Sequence, residues 1–201
     1  YVKREDLLHP EVSGNKFRKL KYNLQAAQDQ NHKTLLTFGG AFSNHISAVA
    51  AAGKMLGFKT IGIIRGEELE KDLQQTPDQN PTLKFAKSQG MRFKFISRSQ
   101  YREKESEGFL VSLKSEFGDF YLIPEGGTNA LAVKGCEEIL TENDSAFDII
   151  CCPVGTGGTI AGIINTSRAN QQVMGFPALK ENFLHHEISA YTSGGNWELQ
   201  R

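Results

Sequence analysis

The sequence predicts an α/β protein with mostly parallel sheets. Three observations carry that reading. Short apolar runs of strand length alternate with longer segments of helical period. One run, FDIICCPV over 147–154, is apolar almost throughout, as in a strand buried on both faces of a sheet. Glycine loops follow three of the strands, where ligands bind in such sheets: GGAFSN (39–44), EGGTN (125–129) and VGTGGT (154–159).

The elements follow in order. Phe17, Leu20, Leu24 and Ala27 share one face, which predicts a helix over 15–30. TLLTF (34–38) reads as a strand, and Ser43 or Asn44 caps the next helix, which stops at Gly57. TIGII (60–64) is a strand, and the polar stretch 66–81, with Pro77 and Pro81, is a loop. LKFAKSQ is a short helix stopped by Gly90, and RFKFI (92–96) a strand. Residues 101–117 are expected to be helical, and 120–124 a strand. GGTN then opens a helix carrying Leu131, Val133 and Ile139. The strand at 147–154 leads through GTGGTIAGIIN into a helix, and QVMGF (172–176) is a further strand. The abrupt start at Tyr1 and the end at GGNWELQR, without a leader or a helix stop, lead us to expect a fragment of a longer chain.

Composition narrows the function. The chain has 201 residues, 39% of them apolar, which is enough for a real core. Twenty-three basic and 23 acidic residues cancel, which argues against a nucleic-acid or membrane-surface protein. No apolar run reaches the length of a membrane span. Three cysteines, two of them adjacent, form neither a disulfide framework nor a CxxC metal site, so a reducing, cytoplasmic setting is expected. His185 and His186 lack partners at metal spacing, and no metal is expected.

Three loops could carry chemistry. Pro153-Val-Gly-Thr-Gly-Gly-Thr159 leaves a strand and opens a helix. Its glycines let backbone N–H groups converge on an anion, the helix start adds positive potential, and Thr156 and Thr159 add hydroxyls. This is a phosphate cradle in chemical terms; the competing reading is a tight turn. Ile160 stands where a dinucleotide-binding GxGxxG loop needs glycine, and GxxxxGK[ST] is absent. Gly39-Gly-Ala-Phe-Ser-Asn-His45 is a second strand-to-helix turn. The N–H groups of Ser43–His45 would face a carboxylate held there, with simple N-capping as the alternative. In Ser13-Gly-Asn-Lys-Phe-Arg-Lys-Leu20, Lys16 lies at a helix start, which favours its neutral, nucleophilic form. The alternative is a solvated helix face, since Arg18, Lys19 and Lys21 are close by. Cys151 and Cys152 are read as core residues, and His45 as a structural residue or a general base.

SGNKFRKL, GGAFSNH, IPEGGTNALA and PVGTGGTIAG occur in one order. Together they resemble pyridoxal-phosphate enzymes of the tryptophan synthase β-like fold (fold type II), and most closely the 1-aminocyclopropane-1-carboxylate deaminase and D-cysteine desulfhydrase family. Lys3-Arg-Glu-Asp6 followed by Gly14-Asn-Lys-Phe-Arg-Lys-Leu-Lys-Tyr22 is especially specific. The likeness runs to about residue 176.

The resemblance implies two three-layer α/β domains with the cofactor between them: a smaller one at 34–122, and a larger one from 1–33 plus 123–201. It implies pyridoxal 5'-phosphate as cofactor, joined to Lys16 as a Schiff base. Asn44 would meet the ring hydroxyl, and Gly155, Thr156, Gly157, Gly158 and Thr159 would hold the phosphate. Ser43 would act in catalysis, and Ser43, Asn44 and His45 would bind the substrate. The implied activity is that of a deaminase or lyase on a small amino acid, in a homodimer. A cysteine synthase-like β-replacement enzyme and a non-catalytic binding protein are the alternatives. One departure concerns the substrate pocket: Ile46-Ser47-Ala48 stand near where family members carry an Arg-Gln pair. Family chains also run further, through a tyrosine beside the active site and the partner of the pyridine nitrogen.

Overall fold

The computed structural model describes residues 1–70, 80–178 and 183–200. It contains two compact units. The first comprises Tyr1–Leu8, Ser13–Leu24 and Gly126–Arg201, the second His9–Val12 and Gln25–Glu125. Helix α1 (Asn15–Asp29) belongs to both.

In the second unit, β1 (Thr34–Gly39), β2 (Lys59–Arg65), β3 (Arg92–Ile96) and β4 (Tyr121–Ile123) form a parallel sheet in the order β3-β2-β1-β4. Leu36 pairs with both Ile61 and Leu122, which fixes the register at the centre. The central strands are buried on both faces, in keeping with their Leu, Ile and Phe content. One side of the core holds Leu36, Phe38, Ile61, Ile63, Leu113 and Phe120. Helix α2 (Asn44–Leu56) packs on β1 and β2. Ser43 caps it by accepting from Ile46 N–H, and Gly57 ends it in the left-handed region at φ 75°. Gly39 permits the close approach of α2: a Cβ there would lie 2.5 Å from Ile46 Cγ1.

Helix α3 (Pro81–Ser88) begins two residues earlier than the periodicity indicates. Asn80 caps Leu83 N–H, and proline fits the first helical turn, where no N–H donor is needed. Of the loop expected over 66–81, residues 71–79 lie outside the described residues. The helix expected over 101–117 is two helices, α4 (Arg98–Arg102) and α5 (Glu107–Phe117). Ser97 and Ser106 each cap one, and a cap residue leaves helical geometry, so the pattern breaks between them.

In the first unit, α6 (Ala130–Cys136) starts at its cap, Asn129, and ends before Ile139, which is buried beyond it. Strand β5 (Ile149–Val154) leads into α7 (Gly158–Thr166), and β6 (Gln172–Pro177) follows. Helix α8 (Leu184–Ser189) and strand β7 (Trp197–Leu199) lie in a stretch where the sequence pattern indicated no element. Strand β7 joins the parallel sheet in the order β5-β6-β7. Cys152, Val154, Ile160, Ile164 and Val173 form the core between this sheet and α7.

Two expectations for β5 are corrected. Among the described residues the strand is covered on one face: Cys152 and Val154 are buried, but Ile149, Cys151 and Pro153 are exposed. Cys151 is therefore not a core residue. Strand alternation sends successive side chains to opposite faces, and among the described residues only one face of β5 carries packed helices.

Candidate active site

The first unit contains a cavity of about 120 Å³ lined by Asn15, Lys16, Lys19, Gly126 and the 153–160 loop. Three segments build it. Helix α1 supplies Asn15, Lys16 and Lys19 from its first turns. The turn at 125–127 supplies Gly126, and the β5–α7 turn supplies Gly155–Thr159.

The two loops interlock. A Cβ on Gly158 would lie 2.9 Å from Thr128 Cγ2, and one on Gly126 would lie 2.8 Å from Thr156 Cγ2. Each threonine thus fills the space that its neighbour's missing side chain leaves. Their hydroxyls meet at 2.6 Å. Gly157 enters α7 at φ 82°, a backbone that glycine adopts without strain. The 126–129 loop is tied to α1 by a reciprocal amide pair. Asn23 Nδ2 donates to Asn129 Oδ1 at 3.1 Å, and Asn129 Nδ2 donates to Asn23 Oδ1 at 2.7 Å. Asn15 Nδ2 donates to Thr159 Oγ1 at 2.8 Å, fixing the start of α1 to the glycine loop.

Lys16 is half-buried, and its Nζ donates to Gly126 O at 3.4 Å. Burial lowers its pKa below the usual lysine range. Lys19 departs further from expectation, because this part of α1 is not a solvated face. Lys19 is 2% exposed, Arg18 pairs with Glu5 at 2.8 Å, and Lys21 pairs with Glu138 at 2.6 Å. Lys19 Nζ donates to Gly126 O, Thr128 Oγ1 and Thr156 Oγ1. Burial, and then the nearby charge of Lys16, push its pKa down to about 7. Lys19 is a cavity residue that sequence reasoning missed, as are Asn15 and Gly126. The one signal for Lys19 was its place three residues after Lys16, on the same side of a helix.

The low pKa of Lys19 has a thermodynamic sign. An unfolded lysine holds its proton to about pH 10.4, whereas folded Lys19 releases it near pH 7. The unfolded state therefore binds more protons above pH 7, and stability rises with pH there. Above about pH 9 the buried thiols Cys136 and Cys152 oppose this, because burial raises both. Between pH 7 and 8.5 we expect a gain of about 1.5 kcal/mol in urea unfolding. Lys19→Met should flatten that slope; an equal slope in both proteins would refute the assignment.

The KRED segment is structural. Lys3 pairs with Asp144 at 2.6 Å, Arg4 with Asp6 at 2.6 Å, and Glu5 with Arg18. Glu138 gathers Arg18, Lys21 and the Tyr22 hydroxyl. This segment holds the start of α1 in place, two turns or less from Lys16 and Lys19.

In the second unit, the 39–45 turn lies at the carboxyl end of β1. Ser43 N–H donates to Gly40 O at 3.1 Å and Ser43 Oγ accepts from Ile46 N–H at 3.4 Å. The Ser43 N–H is thus engaged within the turn. Asn44 is exposed. His45 is buried, with Nε2 at 2.8 Å from Thr37 Oγ1. The Thr37 hydroxyl gives its only proton to Ile123 O at 2.8 Å, so His45 Nε2 carries the proton of their bond. His45 thereby ties the start of α2 to β1 and β4. The Arg65 guanidinium lies over the Tyr101 ring at 5.6 Å, and one of its nitrogens would be 3.6 Å from a Cβ on Gly40. It adds positive charge beside the turn, and no motif marked it.

The family profile described as "Pyridoxal-phosphate dependent enzyme" matches residues 1–180. The chain belongs to the pyridoxal-phosphate-dependent enzyme family. Within that family it is 35% identical over 176 residues to the bifunctional D-cysteine desulfhydrase/1-aminocyclopropane-1-carboxylate deaminase of Arabidopsis thaliana, a mitochondrial protein. That match covers 81% of this chain and 43% of the relative. A Thermotoga maritima protein provisionally named 1-aminocyclopropane-1-carboxylate deaminase is 37% identical over 172 residues, covering 81% and 52%. The chain spans about half the length of these relatives. A solved structure of an "ACC deaminase homologue" superposes with a TM-score of 0.79 at 23% identity, covering 98% of this chain and 64% of that one. The α/β architecture with parallel sheets is thus that of fold type II pyridoxal-phosphate enzymes. Among the described residues, no helix is long and apolar enough to cross a membrane.

The cavity fits the family's cofactor. An aldehyde bearing a phosphate needs a reactive amine at one end and an anion site at the other. Here two lysine amines and the Thr128 and Thr156 hydroxyls meet a glycine loop at a helix start. Gly155, where an added Cβ would meet nothing within 4 Å, leaves the loop's outer side open.

Proposed function

We propose that the protein is a deaminase or lyase acting on a small amino acid of the D-cysteine or 1-aminocyclopropane-1-carboxylate type. It releases ammonia and a 2-oxo acid, with hydrogen sulfide in addition when the substrate is D-cysteine. The observation that carries this reading is the placement of the Lys16 amine in one cavity with the glycine loop at 155–159.

Lys16 binds the cofactor and moves the proton at the substrate carbon. A lowered pKa suits that task, because an amine that carries its proton tightly cannot take another. Gly155, Thr156, Gly157, Gly158 and Thr159 hold the phosphate, with Lys19 supplying charge beside them. Bound pyridoxal phosphate supplies a conjugated ring that draws electrons from the substrate. Asn44 meets the ring hydroxyl. Ser43 acts on the substrate through its hydroxyl, and the start of α2 from Ser43 to His45, with Arg65 near, binds the substrate carboxylate. The division into a smaller domain at 34–122 and a larger one from 1–33 plus 123–201 belongs to this proposal. So do a homodimer, which sedimentation tests, and a cytoplasmic location, in keeping with the free Cys136, Cys151 and Cys152.

Turnover separates the possibilities. The protein, supplied with pyridoxal phosphate, is offered D-cysteine, L-cysteine and 1-aminocyclopropane-1-carboxylate, and 2-oxo acid and ammonia are measured. Equal release of both from D-cysteine or the cyclopropane substrate is expected. Cysteine made from O-acetylserine and sulfide, with no 2-oxo acid, would favour a β-replacement enzyme.

A further inference from the structure

Among the described residues, Lys19 is buried without a counter-charge. Its three hydrogen-bond acceptors are all uncharged: Gly126 O at 3.1 Å, Thr128 Oγ1 at 2.9 Å and Thr156 Oγ1 at 3.2 Å. An ammonium held only by neutral dipoles in a buried site is poorly compensated. Lys16 uses the same Gly126 oxygen, so the nearest cation opposes a proton on Lys19. The other ionisable groups bearing on it are Cys136 of α6 and Cys152 of β5, with Arg18 of α1 acting on Cys136. Burial raises both thiols, Cys152 to about 12, so near neutral pH they are uncharged and lend no support. One of the three acceptors, Thr156 Oγ1, belongs to the loop that forms the glycine cradle, and Lys19 lines the same cavity.

We propose that the cradle takes its anion together with a proton, which binds the amine of Lys19, so that its hold on the anion loosens as pH rises. The proposal rests on the reading of residues 155–159 as a phosphate cradle and adds to it a regulation by pH. The step balances simply: a solvent proton joins the Nζ lone pair, and the new ammonium offsets one of the two incoming negative charges. Without an anion, Lys19 holds its proton only below about pH 7. The anion stabilises the charged form, so its affinity falls by up to about tenfold per pH unit above that value.

Sulfate tests this directly, because it stays a dianion from pH 6 to 9. Calorimetric titration of the cofactor-free protein, in two buffers of different ionisation enthalpy, counts protons taken up per sulfate bound. Uptake approaching one proton per sulfate is expected at pH 8, and much less at pH 6. Lys19→Arg, charged at every pH, should bind sulfate without uptake, and Lys19→Met should show weaker binding, also without uptake. Sulfate binding to the wild-type protein at pH 8 with no uptake would overturn the linkage while leaving the cradle intact. Uptake that persists in Lys19→Arg would overturn the assignment to Lys19. No sulfate binding at either pH would overturn the cradle reading itself.

Discussion

Lys16→Ala is expected to lower turnover by on the order of 10³-fold or more while the protein stays folded. The size follows from what is lost: the group that would bind the cofactor covalently and the group that would move the substrate proton are one amine. Survival of the fold follows from the contacts. Among the described residues, the Lys16 Nζ makes one hydrogen bond, at 3.4 Å, to Gly126 O, which also accepts from Lys19. Removing it therefore leaves no buried acceptor unpaired. Steady-state kinetics and circular dichroism on the same preparation check both halves. A variant with wild-type kcat would remove Lys16 from the chemistry. A variant that fails to fold would show a structural role that these contacts do not provide.

Gly135→Ala is expected to be the most damaging small substitution in the first unit. A Cβ there would sit 2.0 Å from Arg18 O and 2.9 Å from Arg18 C. The obstacle is backbone, so no rotamer change relieves it, and α1 must move away from α6. Alanine's better helix propensity returns about 1 kcal/mol, but overpacking against a fixed carbonyl costs about 1–3 kcal/mol or more. We expect a net loss of up to about 2 kcal/mol in denaturant unfolding. The displaced segment of α1 carries Lys16 and Lys19, so cofactor affinity should fall as well. Gly108→Ala is the control. Gly108 is exposed in α5 with nothing within 4 Å of its added Cβ, and the change should be neutral or stabilising by up to about 1 kcal/mol. If the two variants unfold alike, the close crossing of α1 and α6 is not what the glycine serves.

Most of the fold was legible because its elements follow local rules. Strands β1 and β2 are short runs rich in Leu, Ile and Phe, and Ser43, Gly57 and Asn129 mark helix ends by their own chemistry. The glycine loop at 155–159 was legible as a possible anion site for the same reason: glycines at a strand-to-helix turn leave N–H groups open to a ligand. What was not legible depends on partners distant in sequence. Lys19 reads as a solvent-facing cation until Thr128 and Thr156, more than a hundred residues away in the chain, are brought to it. Asn23 reads as one more polar helix residue until Asn129 answers it. Strand β7 is three residues long, too short for any alternation to declare itself. The bare face of β5 was misread because an apolar run reports how a strand is composed, not what covers it.

The most direct test of the central claim is chemical. The protein is supplied with pyridoxal phosphate, reduced with borohydride, digested and mapped by peptide mass. A reduced cofactor adduct on Lys16, with Lys19 unmodified, is the predicted result. A folded, cofactor-treated sample whose Lys16 peptide carries no adduct, or whose adduct lies on another lysine, would contradict the account at its centre.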